Sequence, residues 1–232
     1  MVLAVNTTSG ILFRVLIGIV MFIVGTVIFS YLNLVIAILP EGIEEEEDEG
    51  KGLSKEERTQ QKIRKKESRR DKWHRLIRGK KICPHCGKEW KGKDTWPILS
   101  WFINGRKCVY CFEKISPRYT LIELLGGVLA VLPIVYYGLN QQAITVFFVY
   151  CVLAVIAMID MDTQYIPPEL NILLAVLGLV SIWTIPGPTI VERLIGVVCI
   201  SVPLLIITLI VPGAFGGGDI KMMAAVGLLL GW

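Results

Sequence analysis

Five apolar runs, each near or above twenty residues, decide what this chain can fold into. They cover residues 11–39, 120–139, 141–159, 170–185 (a little short) and 190–211. A run of about twenty apolar residues matches the hydrocarbon thickness of a bilayer. In lipid the backbone must satisfy its own hydrogen bonds, so such runs are helices. A sixth run, residues 220–232, rises only about 20 Å as a helix against a core of about 30 Å. The expected fold is therefore all-α: a polytopic transmembrane helical protein of about six spans, the last incomplete. The sequence reads as truncated or as an unusually short form. Its composition agrees, with 53% hydrophobic and 19% charged residues and a mean hydropathy of +0.60. An ordinary soluble domain is excluded on those grounds.

Charge is distributed unevenly. Of 24 Lys and Arg, 21 lie between Lys51 and Arg118. The positive-inside rule assigns that segment to the cytoplasm and the amino terminus to the outside. The first run is too long for a signal peptide and has no small-residue cleavage site, so it reads as an anchor. Three parts follow: residues 1–40 as the first span, 41–119 as a cytoplasmic insert, and 120–232 as a transmembrane catalytic domain. Within the insert, an acidic run (41–48) precedes a basic stretch. Ser54-Lys55-Glu56-Glu57 has the form of a capping box, which predicts a charged helix over 54–77. That helix is a solvated face or a contact for anionic lipid; no nucleic-acid-binding module accompanies the charge.

Cys83-Pro84-His85-Cys86 and Cys108-Val109-Tyr110-Cys111 are separated by 21 residues. Each knuckle presents two sulfurs from one tight turn, and two knuckles complete a tetrahedron. Cys83, Cys86, Cys108 and Cys111 are thus expected to hold zinc. Four thiolates leave no open coordination position, which makes the zinc structural and His85 a weaker candidate. Cys151 and Cys199 lie inside spans and read as packing residues.

Ionisable groups at membrane depth are costly and point to function. Asp160 closes the third run and Asp219 follows Gly216-Gly217-Gly218 after the fifth. Counting spans from an outside amino terminus puts both at the cytoplasmic edge. Two close carboxylates share a proton, so one can take a proton from attacking water while the other polarises a carbonyl. The glycines leave room for a substrate backbone. Asp160 and Asp162 could instead bind a divalent metal, although no phosphate loop supports that. Asn33, buried in the first span, is either a packing hydrogen bond or part of a site.

These residues together resemble the type IV prepilin peptidases (leader peptidase / N-methyltransferase) along nearly the whole chain. The likeness rests on 29–36, ending at Leu39-Pro40; on the segment from Cys83 through Ser100-Trp101 to Cys111; on Ile115-Ser116-Pro117-Arg118-Tyr119 to Glu123; on Met158-Ile159-Asp160-Met161-Asp162 to Ile166-Pro167; and on Gly216 to Lys221. The resemblance implies an aspartic endopeptidase in the cell membrane with Asp160 and Asp219 as its catalytic pair. Asp162, Glu123, Asn33, Lys221 and the three glycines would support it. It implies prepilin or pseudopilin substrates cut after a glycine that closes a basic leader. It further implies N-methylation of the new amino terminus from S-adenosylmethionine. Three departures stand out: Pro168 follows Ile-Pro where the family has an acid, the stretch from Pro40 to Cys83 is longer, and the family continues past Gly231-Trp232. A peptidase without methyltransferase activity, and a zinc-stapled membrane scaffold without chemistry, are the competing readings.

Overall fold

A computed structural model describes residues 8–40, 74, 77–79, 81–83 and 85–231. The helix expected over 54–77 lies outside the described residues, apart from His74 and Ile77, which are helical. The described residues form helices joined by turns: α1 (Thr8–Ile38), the short α2 (Leu99–Ile103), α3 (Pro117–Tyr137), α4 (Gln141–Thr163), α5 (Pro168–Thr184), α6 (Ile190–Ile210) and α7 (Gly217–Leu230). A 3-10 turn occupies Gly92–Thr95. By length and composition α1, α3, α4 and α6 can cross a membrane, while α5 is apolar but shorter. Four spans and two shorter helices thus stand where six spans are expected. Exposed leucines, isoleucines and valines cover the outer faces of these helices, as a lipid-facing surface requires.

Each helix ends where the sequence supplies a reason. Asn140 caps α4, its Oδ1 accepting from the Ala143 N–H at 2.9 Å. Pro168 opens α5 at the position where a missing N–H costs nothing. Thr189 and Glu192 cap α6 reciprocally. The third run continues further than its apolar residues suggest. Asp160 to Thr163 stay helical, and the helix closes at Gln164, whose left-handed backbone lets its N–H reach the Asp160 carbonyl at 2.8 Å.

Two compact units divide the chain, one of residues 1–25 and 126–232, the other of residues 26–125. In the first, α7 packs against both α5 and α6, and α5 also packs against α4. Small residues let backbones meet, as is usual between helices in lipid. A side-chain carbon on Gly227 would lie 2.3 Å from the Gly196 carbonyl oxygen, and one on Gly25 would lie 2.3 Å from that of Gly126. Arg193 is the largest fully buried side chain. Its Nη1 donates to Ser181 Oγ at 2.6 Å and to the carbonyls of Leu228 and Leu229 at 3.0 Å. Its Nη2 donates to the carbonyls of Ser181 and Ile185 at 3.1 Å. These carbonyls close α5 and α7, so the guanidinium binds the negative ends of two helices at once.

The second unit contains the two cysteine knuckles, which repeat one backbone pattern. In each, the first cysteine's N–H donates five residues ahead (Cys83 to Lys88 at 3.0 Å, Cys108 to Glu113 at 2.9 Å). Its carbonyl accepts from four residues ahead, Gly87 and Phe112, both at 2.9 Å. That fourth position is left-handed in both, with φ of 68° at Gly87 and 58° at Phe112.

Candidate active site

The two expected catalytic aspartates lie in one unit, each in a terminal turn of its helix. Asp160 is exposed in the last turn of α4, and Asp219 is half-buried in the first turn of α7. The α4–α5 turn, which follows Asp160, comes close to the first turn of α7. A side-chain carbon on Gly218 would lie 3.0 Å from Ile166 Cβ, so a larger residue there would press on this turn by a few tenths of an ångström. Asn171 of α5 fixes the same peptide, its Nδ2 donating to the Gly218 carbonyl at 3.1 Å. Its Oδ1 is buried with no partner among the described residues. Asp219 is oriented by its own turn: Oδ2 accepts from the Gly216 N–H at 3.1 Å. Gly216 has no side chain, so only this returning half of a capping pair exists.

The other expected residues separate. Gly217 is exposed, and a side-chain carbon there would meet nothing within 4 Å. Lys221 and Asp162 are exposed on α7 and α4. Glu123 and Asn33 belong to residues 26–125, in a second polar cluster. Glu123 Oε1 accepts from the Ser30 hydroxyl and, at 3.2 Å, from Lys81 Nζ. Its Oε2 accepts from the Ile98 N–H at 2.7 Å. Asn33 Nδ2 donates to the Tyr119 carbonyl at 3.0 Å.

The four expected metal ligands converge. The Sγ atoms of Cys83, Cys86, Cys108 and Cys111 all lie within 4.8 Å of one another, and those of Cys83 and Cys111 are 3.9 Å apart. Zinc–thiolate bonds of about 2.3 Å in a tetrahedron put sulfurs roughly 3.8 Å apart, so a cluster of this size could hold such an ion. Its electrostatics point the same way. Burial opposes ionisation of Cys108, yet the N–H groups of Cys111 and Tyr110 and the neighbouring thiols bring it down to about 6. For Cys111 the Glu113 N–H pulls downward, but desolvation and the crowding of Cys108, Cys86 and Cys83 push it up to about 12. Four such sulfurs cannot all ionise without a cation among them.

Sequence reasoning missed Arg193, Asn171, Ser30 and Lys81. For Arg193 and Asn171 a signal existed, since each is a strongly polar residue near the start of an apolar run. Lys81 was hidden within a basic stretch, and Ser30 within a span.

The fold and these clusters define a multi-pass helical membrane protein with a four-thiol cluster that could hold a metal ion. The chain belongs to the type IV leader peptidase family: residues 146–232 match that family, and residues 23–137 match the bacterial peptidase A24 N-terminal domain. It is 30% identical over 216 residues to the prepilin leader peptidase/N-methyltransferase of Neisseria gonorrhoeae, covering 90% of this chain and 72% of that protein. It is 31% identical over 156 residues to the protein of the same name from Burkholderia pseudomallei (strain 1026b), covering 65% of this chain and 50% of that protein. The Pseudomonas aeruginosa protein of that name is 27% identical over 219 residues, covering 90% of this chain and 71% of that protein. The matched stretch thus spans about half the length of the Burkholderia relative. No solved structure matches.

Proposed function

We propose that this chain is a membrane aspartic endopeptidase that removes the basic leader of type IV prepilins or pseudopilins after a glycine and N-methylates the new amino terminus. The observation that carries the proteolytic half is the contact of Gly218 with Ile166, which adjoins the turns bearing Asp219 and Asp160. In this reading one carboxylate takes a proton from water as it attacks the scissile carbonyl. The other holds a proton against the carbonyl oxygen and then protonates the departing amine. No covalent enzyme intermediate forms. The open backbone at Gly217 is where a substrate strand can lie alongside Asp219. Asp162 and Lys221 flank the site and act on substrate charge.

Cys83, Cys86, Cys108 and Cys111 hold a zinc ion that staples the two knuckles together and takes no part in the chemistry. The methyl donor, S-adenosylmethionine, supplies an electrophilic methyl group; the methyltransferase half rests on the names of the relatives. The amino terminus is outside and both aspartates face the cytoplasm, in keeping with the 21 basic residues that follow the first span.

The test is mass spectrometry of a leader-bearing prepilin incubated with membranes containing the chain and the methyl donor. A product beginning after the glycine, one methyl heavier at its amino terminus, is expected. An unmodified product establishes a peptidase alone, and an intact prepilin rejects the reading.

A further inference from the structure

Four large apolar side chains between the two knuckles, Trp96, Leu99, Phe102 and Ile103, are each more than half exposed. Leu99, Phe102 and Ile103 of α2 stand three and four residues apart, the spacing of one helix face. Trp96 continues that face one turn earlier, where its carbonyl accepts from the Ser100 N–H at 3.2 Å. Trp101 belongs to the opposite side. Its Nε1 donates to the Ile115 carbonyl at 3.2 Å, and the Arg106 guanidinium lies 4.7 Å from its ring. An exposed apolar face of this kind marks a surface built for contact.

What α2 is tied to sets its depth in the bilayer. The Ile98 N–H donates to Glu123 Oε2 at 2.7 Å. Helix α3 has 21 residues, so it is roughly 31 Å long against a hydrocarbon core of about 30 Å. Tyrosines favour the membrane interfaces, and they stand at both ends of α3, Tyr119 at one and Tyr136 and Tyr137 at the other. Glu123 lies one turn inside the Tyr119 end, roughly 9 Å from the start of the helix. A second tie agrees. Lys81 Nζ donates to the Thr95 carbonyl at 3.4 Å, to Glu123 at 3.2 Å and to the Ser30 hydroxyl. Ser30 lies roughly 12 Å before the end of α1. Two membrane-length helices therefore hold the start of α2 at the level where headgroups meet acyl chains. Its backbone suits a dry setting. The N–H groups of Ile98, Leu99 and Ser100 are bonded to Glu123, Pro97 and Trp96, and Pro97 has none to satisfy. Exposed Lys91, Arg106 and Lys107 flank the segment, as cations flank a helix lying among headgroups.

We propose that α2 is an interfacial helix whose apolar face, Trp96, Leu99, Phe102 and Ile103, is covered by phospholipid. A helix of that kind sinks its apolar side about 5–10 Å into the boundary of headgroups and acyl chains. The segment between the two knuckles is thereby anchored in the leaflet instead of lying wholly in water. The inference rests on the membrane-spanning fold alone and is independent of the peptidase reading.

The test is tryptophan fluorescence of the full chain in phosphatidylcholine vesicles. One set of vesicles carries lipid brominated near the glycerol end of an acyl chain, which quenches a tryptophan that touches it; the other set is unbrominated. The emission of Trp96 is the parent's minus that of Trp96→Phe in the same vesicles. Trp96 should lose most of its emission to the brominated lipid. Phe102→Trp, made in the parent, adds a second reporter on the same face and keeps the test valid should Trp96→Phe fold poorly. Its added emission should be lost in the same way. The proposal is overturned if either reporter, in a variant with the parent's melting temperature, keeps its emission in brominated lipid. Aqueous iodide then identifies what covers the face. Quenching by iodide means water, and protection from both quenchers means protein, either a second copy or another segment of the chain.

Discussion

Arg193, fully buried on the membrane-length helix α6, is held by a hydroxyl and backbone carbonyls, and its removal should be costly. Arg193→Met keeps much of the side chain's length and apolar stem but deletes every donor. Ser181 Oγ and the carbonyls of Ser181, Ile185, Leu228 and Leu229 then lose a partner. A buried polar group left unpaired costs about 1–3 kcal/mol. Against this, the desolvation of a buried guanidinium is returned, an offset of several kcal/mol. The net expected on breaking such a buried hydrogen-bond network is about 3–5 kcal/mol, the upper end for a single substitution. For a chain of this size that corresponds to a fall in melting temperature of roughly 6–20 °C. Arg193→Lys restores a charge but only three donors in place of five, and so should fall between. Thermal unfolding in one detergent, followed by circular dichroism, gives the order parent, lysine, methionine. A methionine variant as stable as the parent would refute the idea that the guanidinium holds the ends of α5 and α7 together.

The equivalent left-handed positions of the two knuckles give an opposed pair of substitutions. Phe112→Gly should raise resistance to metal chelators, since an L side chain at positive φ costs about 1–2 kcal/mol and Phe112 is 72% exposed, with little packing to lose. Gly87→Ala should lower it by a similar amount, for backbone reasons alone, because an added carbon there touches nothing. Elemental analysis should find one zinc per chain, and Cys108→Ser should lose it. Gly217→Ala should leave the melting temperature unchanged within about 1 kcal/mol, since the added methyl meets nothing within 4 Å. Its cleavage rate should nevertheless fall if substrate lies along that backbone, and an unaffected rate removes Gly217 from the substrate path.

Spans and knuckles were legible in the sequence because their signals are local. The apolar runs that begin at 141, 170 and 190 are preceded by Asn140, Pro168 and Thr189, and each of these is a capping or helix-starting residue in the structure. The extra turn of α4 was not legible. Asp160 and Asp162 end the apolar run without breaking a helix, and the real stop is the backbone of Gln164. Arg193 and Asn171 announced themselves as polar residues in apolar surroundings, but their partners are backbone carbonyls from other helices, which leave no mark on side-chain pattern. The close approaches at Gly196–Gly227 and Gly25–Gly126 were hidden for the same reason. Counting spans leads to the expectation that Asp160 and Asp219 share one membrane edge. The contact that adjoins their turns, Ile166 on Gly218, needed coordinates.

The central claim is that Asp160 and Asp219 act as one catalytic unit. The most direct test is single-turnover cleavage of a leader-bearing prepilin by the parent, Asp160→Asn, Asp219→Asn and the double variant, each checked for intact folding. Groups acting as a unit are strongly non-additive. The account predicts that each single variant loses as much activity as the double. A single variant that cuts at the parental rate, or losses that simply multiply in the double variant, would contradict it.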